Sequence, residues 1–269
     1  MAIDLFSIGR FTVHGYGLMI GLGFLAAVFV GSYLAKRRDL SDGDFVNIAI
    51  YVLVIGFLGG KLLHIIVEFK TLLTDPMAVL GSEGFVVYGG IITGIATIYV
   101  YCRIKKLKFL EYIDLFATAV PLNQALGRVG CLLAGGCYGR ETDSHFSLIF
   151  PEGCIAPAGV RLVPTQPVMA AGNFLIFVVL LILYLMSCPK KGEGADAEQK
   201  LRYIPGLATA LYLIMYSVGR FVIEFFRNDY RGSVGPLSTS QFISLFILVG
   251  GAVLLVIVLK GKVNKEAGN

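Results

Sequence analysis

Long apolar segments recur along the chain, separated by short stretches of polar and charged residues. A helix needs about 20 mostly apolar residues to cross a bilayer, and seven segments meet that requirement. They are Tyr16–Leu34, Phe45–Phe69, Phe85–Cys102, Leu110–Leu133, Pro167–Ser187, Gly206–Phe226 and Thr239–Leu259. The pattern therefore predicts an all-α, polytopic membrane protein with seven transmembrane helices.

Composition agrees with this prediction. The 269 residues are 56% hydrophobic and only 15% charged, whereas soluble domains carry about 25% charged residues. The chain has no long linker or low-complexity tract between its apolar segments. We therefore predict one integral membrane domain over residues 1–269.

Basic residues are distributed unevenly between the polar stretches. They concentrate at 36–38, 103–108, 190–202 and 260–265, after every second apolar segment. Because cytoplasmic loops carry an excess of Lys and Arg, the N-terminus is predicted outside and the C-terminus in the cytoplasm. The same asymmetry accounts for the net charge of +5, which gives no support for a nucleic-acid partner. Residues 134–164 are richer in polar residues, glycine and proline, and are predicted to form a small outer cap.

Three basic residues lie within or at the edge of apolar segments: Lys61, Arg128 and Arg220. A charge at membrane depth costs several kcal/mol, so it normally faces the helix bundle and has a partner. Arg220, Glu224 and Arg227 have the spacing of one helix face, and an ion pair within the helix is the simplest interpretation. Arg128 would then still lack an anion.

The headgroup of an anionic phospholipid could supply that anion. Guanidinium groups match phosphate oxygens in bidentate geometry. Gly127, Gly130 and Gly139 would allow the backbone to approach a ligand closely beside Arg128. We therefore predict that Arg128 binds a phospholipid headgroup at the outer leaflet. A small-solute transporter is less favoured, since the charges gather at one membrane face and no internal repeat is evident.

Several motifs resemble those of the prolipoprotein diacylglyceryl transferase family. They are YGLM at Tyr16–Met19, YGG at Tyr88–Gly90, GRVG at Gly127–Gly130, PTQ at Pro164–Gln166, and EFFR at Glu224–Arg227 preceded by Arg220. Their order and spacing agree over nearly the whole chain.

The resemblance implies an enzyme of the bacterial cytoplasmic (inner) membrane with its active site towards the outer face. Such an enzyme transfers the diacylglyceryl group of phosphatidylglycerol to the lipobox cysteine of a preprolipoprotein, the first step of lipoprotein maturation. The product is a thioether, and glycerol phosphate is released. Because the leaving phosphate gains charge, fixed cations would stabilise it, and Arg128 and Arg220 are the candidates. No metal or other cofactor is expected.

Further residues complete the predicted site. Tyr88 is expected to donate a hydrogen bond to the headgroup, and Glu224 to orient Arg220 or accept a proton. The predicted substrate-binding residues are Tyr16, Gly89, Gly90, Gly127, Gly130, Gly139, Arg140, Gln166 and Arg227. The implied partners are phosphatidylglycerol, the signal peptides of preprolipoproteins and membrane lipids.

The chain departs from the family pattern at some of these positions. The family commonly has histidine where Tyr88 stands, and asparagine where Cys131 stands. A thiol must become a thiolate to attack, and a tyrosine is a poor base because it keeps its proton up to about pH 10. Two alternatives therefore stay open: a degenerate relative that binds or escorts anionic phospholipid, and a paralogue that uses another acceptor.

The histidines and cysteines give weaker signals. His64 is expected to be a packed interior residue, and His145 has no partner that the sequence identifies. The five cysteines contain no CxxC pair, which disfavours a metal site. Cys131, Cys137 and Cys154 could form a disulfide or remain packed thiols.

Overall fold

The computed structural model describes residues 4–8, 11–82, 84–187, 203–228 and 232–267. Within these ranges the chain forms the helices α1 (Gly15–Arg37), α2 (Asp42–Val67), α3 (Phe69–Thr74), α4 (Pro76–Leu80), α5 (Val87–Lys105), α6 (Phe109–Ala134), α7 (Thr165–Ser187), α8 (Leu207–Glu224) and α9 (Thr239–Ala267). Three antiparallel hairpins accompany them: β1 (Asp4–Ile8) with β2 (Phe11–His14), β3 (Leu148–Ile149) with β4 (Arg161–Leu162), and β5 (Ser233–Val234) with β6 (Leu237–Ser238). The predicted helical architecture is confirmed, and the hairpins are additional to it.

Six of these helices are long and apolar enough to cross a membrane: α1, α2, α5, α7, α8 and the part of α9 up to Gly261. The protein is therefore a multi-pass membrane protein. Helix α6 has 26 residues and is long enough for a span. It carries Asn123, Gln124 and Arg128, which lower its mean hydropathy. The seventh span and the orientation of the termini stay predictions.

The chain folds as two compact units. The larger unit comprises Met1–Gly31 and Asp114–Asn269, and the smaller unit comprises Ser32–Ile113. The single integral membrane domain over residues 1–269 stays a prediction.

In the smaller unit, glycines bring α2 and α5 into close contact. A Cβ atom at Gly90 would lie 2.9 Å from the carbonyl oxygen of Gly56, so any side chain there would force the helices apart. Gly89 packs in the same way against the Gly59 carbonyl and Leu63. Gly89 and Gly90 thus have a packing role, as small residues do between membrane helices.

The cation predicted at membrane depth in the smaller unit is hydrogen-bonded by backbone carbonyl groups. The Lys61 ammonium donates to the carbonyl oxygens of Ser82 at 2.7 Å and Val79 at 3.2 Å. The imidazole Nε2 of His64 lies 3.2 Å from the Ser82 hydroxyl oxygen. Lys61 and His64 therefore both hold the segment that follows α4, and His64 is a packed residue as predicted.

In the larger unit, residues 134–164 form a compact segment with its own apolar core. Phe150, Ala156 and Leu162 are buried at its centre. The segment is hydrogen-bonded to the end of α8, because the Arg140 amide donates to the carbonyl of Phe226 at 2.9 Å. Strands β3 and β4 close it from the other side.

Candidate functional site

Three charged residues meet at the end of α8 in the larger unit. Helical spacing predicts the Arg220–Glu224 pair, whereas Arg227 lies after the last helical residue and so is not part of the predicted helix face. The Arg220 guanidinium nitrogen NH1 lies 2.7 Å from the Glu224 oxygen Oε2, and Arg227 Nε lies 3.8 Å from the same oxygen. Their side chains are 10%, 7% and 1% exposed for Arg220, Glu224 and Arg227 respectively. The ion pair is therefore almost fully removed from solvent.

Two serines at the start of α9 hold this ion pair. Arg220 NH2 donates to the Ser240 hydroxyl oxygen at 2.7 Å. The Ser238 hydroxyl donates to Glu224 Oε1 at 3.0 Å. Ser238 and Gln241 also exchange hydrogen bonds, each from its backbone amide to the other's side chain, at 3.1 Å. This reciprocal pair is a capping box, and it fixes the turn that presents the serines.

Sequence reasoning did not identify Ser238 and Ser240 as site residues. The stretch from Ser238 to Gln241 at the start of the last apolar segment is a recognisable helix-start signal. That signal predicts the cap alone. Contact between these serines and the Arg220–Glu224 pair depends on how α8 and α9 pack, which the local sequence does not contain.

Arg128 differs from the other two arginines because it has no partner of its own within the described ranges. It forms no hydrogen bond or ion pair with another residue in the described part of the chain. It lies close enough for its charge to repel that of Arg220, as Arg227 also does. The described residues of this arginine cluster, namely Arg128, Arg220, Arg227 and Glu224, thus hold three positive charges and one negative charge. The cluster can accept an anion.

The surroundings of Arg128 are partly open. A Cβ atom added at Gly127 would meet no atom within 4 Å, so this residue borders open space. Two residues after Arg128, Gly130 packs against α1, where an added Cβ would lie 3.1 Å from Met19 Cβ and 3.2 Å from Tyr16 Cδ2. The structure thus brings Tyr16 to the turn of α6 that carries Arg128.

Three other predicted binding residues have structural contacts. The Gln166 amide, 1% exposed, donates to the Gly136 carbonyl at 2.8 Å and shapes the turn after α6. A Cβ atom at Gly139 would lie 2.7 Å from Val163 Cβ, so this glycine permits close packing of the cap segment. Arg140 is exposed, and its Nε donates to the Arg227 carbonyl at 3.2 Å. Their contact with a substrate stays a prediction.

Tyr88 belongs to the smaller unit. It lies in the first turn of α5, beside Gly89 and Gly90, and is 38% exposed. Its predicted cooperation with Arg128 and Arg220 concerns residues of both units and stays a prediction.

An apolar groove runs between α7 and α8 and reaches Arg220. Its volume is about 550 Å³, within the usual range for ligand sites. Among the described residues that line it, Arg220 is the one charged side chain and the rest are mostly apolar. A groove with apolar walls and one arginine in its lining suits an amphiphile with a hydrocarbon tail and an anionic head.

The described cysteines form no disulfide. Cys131, Cys137 and Cys154 are all thiols in this structure, as is Cys102. Of the two alternatives left open by the sequence, the structure therefore has packed thiols. Cys131 lies near the positive charges of Arg128 and Arg227.

Comparisons with known proteins give a consistent result. A family profile described as "Prolipoprotein diacylglyceryl transferase" matches residues 4–257. A relative from Clostridium perfringens named phosphatidylglycerol–prolipoprotein diacylglyceryl transferase 2 is 42% identical, and the match covers 100% of this chain and 99% of the relative. A phosphatidylglycerol–prolipoprotein diacylglyceryl transferase from Clostridium tetani is 41% identical, with 92% of this chain and 94% of the relative covered. A protein of the same name from Finegoldia magna is 31% identical over 93% of this chain and 92% of its own length.

Proposed function

Because the chain belongs to the prolipoprotein diacylglyceryl transferase family, we propose that it moves the diacylglyceryl group of phosphatidylglycerol to a cysteine thiol. The acceptor is the lipobox cysteine of a preprolipoprotein signal peptide. The product is a thioether, and glycerol phosphate leaves. This reaction begins the maturation of bacterial lipoproteins.

The excess positive charge of the arginine cluster carries this proposal. Arg220 is already engaged by Glu224 and Ser240, whereas Arg128 has no partner among the described residues. A partly buried guanidinium without an anion is costly unless a ligand supplies one. The phosphate of phosphatidylglycerol supplies that negative charge, with Arg128 as its main contact and Arg220 beside it.

The proposed reaction uses these charges where the phosphate departs. The thiolate sulfur attacks the carbon of the diacylglyceryl group that is esterified to the phosphate. A carbon–sulfur bond forms there as the bond from this carbon to the phosphate oxygen breaks. The electron pair of the broken bond stays on the phosphate oxygen, which becomes part of a monoester. Arg128 and Arg220 are fixed before the reaction, so they stabilise this developing charge without reorganising.

Glu224 fits the role of orienting Arg220 better than that of a base. Its Oε2 is paired with Arg220, and its Oε1 accepts the hydrogen bond from Ser238. A carboxylate held on one oxygen by a cation and on the other by a hydroxyl is fixed in place, which suits it to orient Arg220. The proton of the thiol is therefore passed to another group or to water, while Tyr88 donates a hydrogen bond to the headgroup.

The proposed membrane arrangement follows from the helices and the charge pattern. Helix α6 is the additional span that brings the six to seven, and it is fourth in chain order. Because it carries polar side chains, it is surrounded by protein, and the N-terminus lies outside. The site then faces the outer side of the cytoplasmic membrane. One acyl chain of the lipid lies in the groove between α7 and α8, which would let the lipid enter sideways from the bilayer.

A transfer assay in reconstituted membranes tests this function. Phosphatidylglycerol labelled in its acyl chains is offered with a lipobox peptide that has either cysteine or serine at the acceptor position. We expect lipidation of the cysteine peptide alone, with release of glycerol phosphate. Lipid binding without any product would instead favour a lipid-binding relative or a transferase with another acceptor.

A further inference from the structure

Asp114 is a fully buried carboxylate in the first half of α6, with 0% of its surface exposed. Its Oδ2 accepts hydrogen bonds from the Tyr203 hydroxyl at 2.6 Å and the Gly206 amide at 2.7 Å. Its Oδ1 accepts from the Thr209 amide at 2.9 Å and the Thr209 hydroxyl at 2.6 Å. All four donors lie at or just before the start of α8. A single side chain of α6 therefore binds the whole N-terminal end of α8.

The positions of the anchor and of the two arginines match along the two helices. Arg128 follows Asp114 by 14 residues, and Arg220 follows Gly206 by 14 residues. At 1.5 Å per residue, each arginine lies about 21 Å along its helix from the anchor. Gln124 of α6 donates to the Tyr212 hydroxyl of α8 at 2.8 Å between the anchor and the arginines, so the helices run in the same direction. The charges of Arg128 and Arg220 lie close enough to repel each other.

We infer that Asp114 is a positioning residue, which sets the axial register of α6 against α8 and so holds Arg128 and Arg220 at a fixed separation for one phosphate group. This inference rests on the proposed function. The carboxylate is suited to the task because its two oxygens accept all four bonds, whereas the hydroxyl or amide of an ordinary helix cap accepts fewer. The register matters because a displacement of about 1 Å in a catalytic arrangement can cost about 100-fold in rate.

A purely structural role for Asp114 would give a different result. Loss of a stabilising anchor would lower the unfolding temperature and the amount of folded enzyme, but each folded molecule would still bind lipid and turn over normally. Loss of register would reduce lipid affinity and kcat in molecules that remain folded. Activity per folded molecule therefore separates the two roles.

The main variant is Asp114→Glu, with Asp114→Asn beside it. Glutamate keeps the charge and both acceptor oxygens but is longer by one methylene group, so it shifts α8 relative to α6. Asparagine keeps one acceptor oxygen and turns an NH2 group towards two donors. Tyr203→Phe is the matched control, because it removes one of the four bonds and leaves the backbone amides of Gly206 and Thr209 bound.

The variants are compared in proteoliposomes well below their unfolding temperatures. We measure kcat and KM for phosphatidylglycerol per folded molecule, and phosphatidylglycerol binding without peptide. We expect kcat to fall about 100-fold in Asp114→Glu, with weaker lipid binding, and to stay near the wild-type value in Tyr203→Phe. Wild-type kcat and binding in folded Asp114→Glu and Asp114→Asn would overturn the inference.

Two further outcomes keep the test decisive. If the wild type binds phosphatidylglycerol but transfers nothing, the proposed function fails. The register is then tested by comparing phosphatidylglycerol binding of the folded variants with that of the wild type. If both Asp114 variants fail to fold, the double variant Tyr203→Phe with Thr209→Val removes both hydroxyl bonds and keeps both backbone bonds. In that variant the Gly206 and Thr209 amides still bind Asp114, so kcat per folded molecule is expected to stay near the wild-type value. A large fall in kcat would contradict the view that these two bonds are enough to keep the register.

Discussion

Replacing Arg128 with methionine is expected to stop transfer while leaving the fold intact. Arg128 has no hydrogen-bond or ion-pair partner among the described residues, so the substitution leaves no polar group unpaired. It also removes a partly buried charge and keeps most of the side-chain volume. The free energy of unfolding should therefore change by no more than about 1 kcal/mol. Loss of one preorganised charge contact in the transition state costs about 3–4 kcal/mol, or about 100- to 1,000-fold in kcat.

The same substitution at Arg220 is expected to damage both function and stability. Arg220→Met removes the 2.7 Å ion pair and leaves the buried Glu224 carboxylate with Arg227 at 3.8 Å. Breaking a buried pair from one side costs about 3–5 kcal/mol, and the remaining Arg227 contact places the expected loss near the lower end. The two variants should therefore be equally inactive but differ in stability by about 2–3 kcal/mol.

Thermal unfolding in detergent micelles and single-turnover transfer in proteoliposomes measure these two effects on the same preparations. The expected result is an unfolding midpoint near the wild-type value for Arg128→Met and a clearly lower one for Arg220→Met. An equal loss of stability in both variants would refute the view that Arg128 lacks an internal partner. Normal turnover by Arg128→Met would refute its role in the reaction.

Three other substitutions test single contacts. Gly139→Ala should lower stability by about 1–3 kcal/mol because its Cβ would lie 2.7 Å from Val163 Cβ, and an unchanged unfolding midpoint would contradict this. Ser240→Ala should cost about 1.5–3 kcal/mol by removing the 2.7 Å bond to Arg220, with a lower kcat; a wild-type rate and midpoint would show that the bond is dispensable. Tyr88→Phe should slow single-turnover transfer in proteoliposomes, and an unchanged rate would show that its hydroxyl has no role in the reaction.

The apolar pattern predicted most of the fold because lipid-facing helices are encoded locally. The first predicted segment, Tyr16–Leu34, corresponds to α1 at Gly15–Arg37, and the fifth, Pro167–Ser187, to α7 at Thr165–Ser187. The two-residue strands of β3 and β4 could not be predicted, since each depends on its partner and on the core around Phe150. Such strands have too few residues to show an alternating pattern.

The candidate site was predictable as far as helical spacing reaches. The four-residue spacing of Arg220 and Glu224 placed them on one face of α8, and the structure has that ion pair. Arg227 lies after the end of α8 and contacts Glu224 at 3.8 Å, which helical periodicity does not explain. The hydrogen bond between Ser240 and Arg220 depends on how the helices pack, so no local sequence pattern predicted it. The roles of glycines were the most difficult to predict from the sequence. Gly139 could equally lie beside a ligand or allow two backbone segments to touch, and the structure has the second contact.

The central claim is that Arg128 and Arg220 hold the phosphate of phosphatidylglycerol while the thiol displaces it. The most direct test quantifies the thioether peptide and the released glycerol phosphate in one reconstituted sample, for the wild type and for Arg128→Met. The wild type is expected to yield equal molar amounts of the two products, and the folded variant almost none of either. Thioether formation by Arg128→Met at the wild-type rate, or glycerol phosphate released by the wild type without thioether, would contradict the central claim.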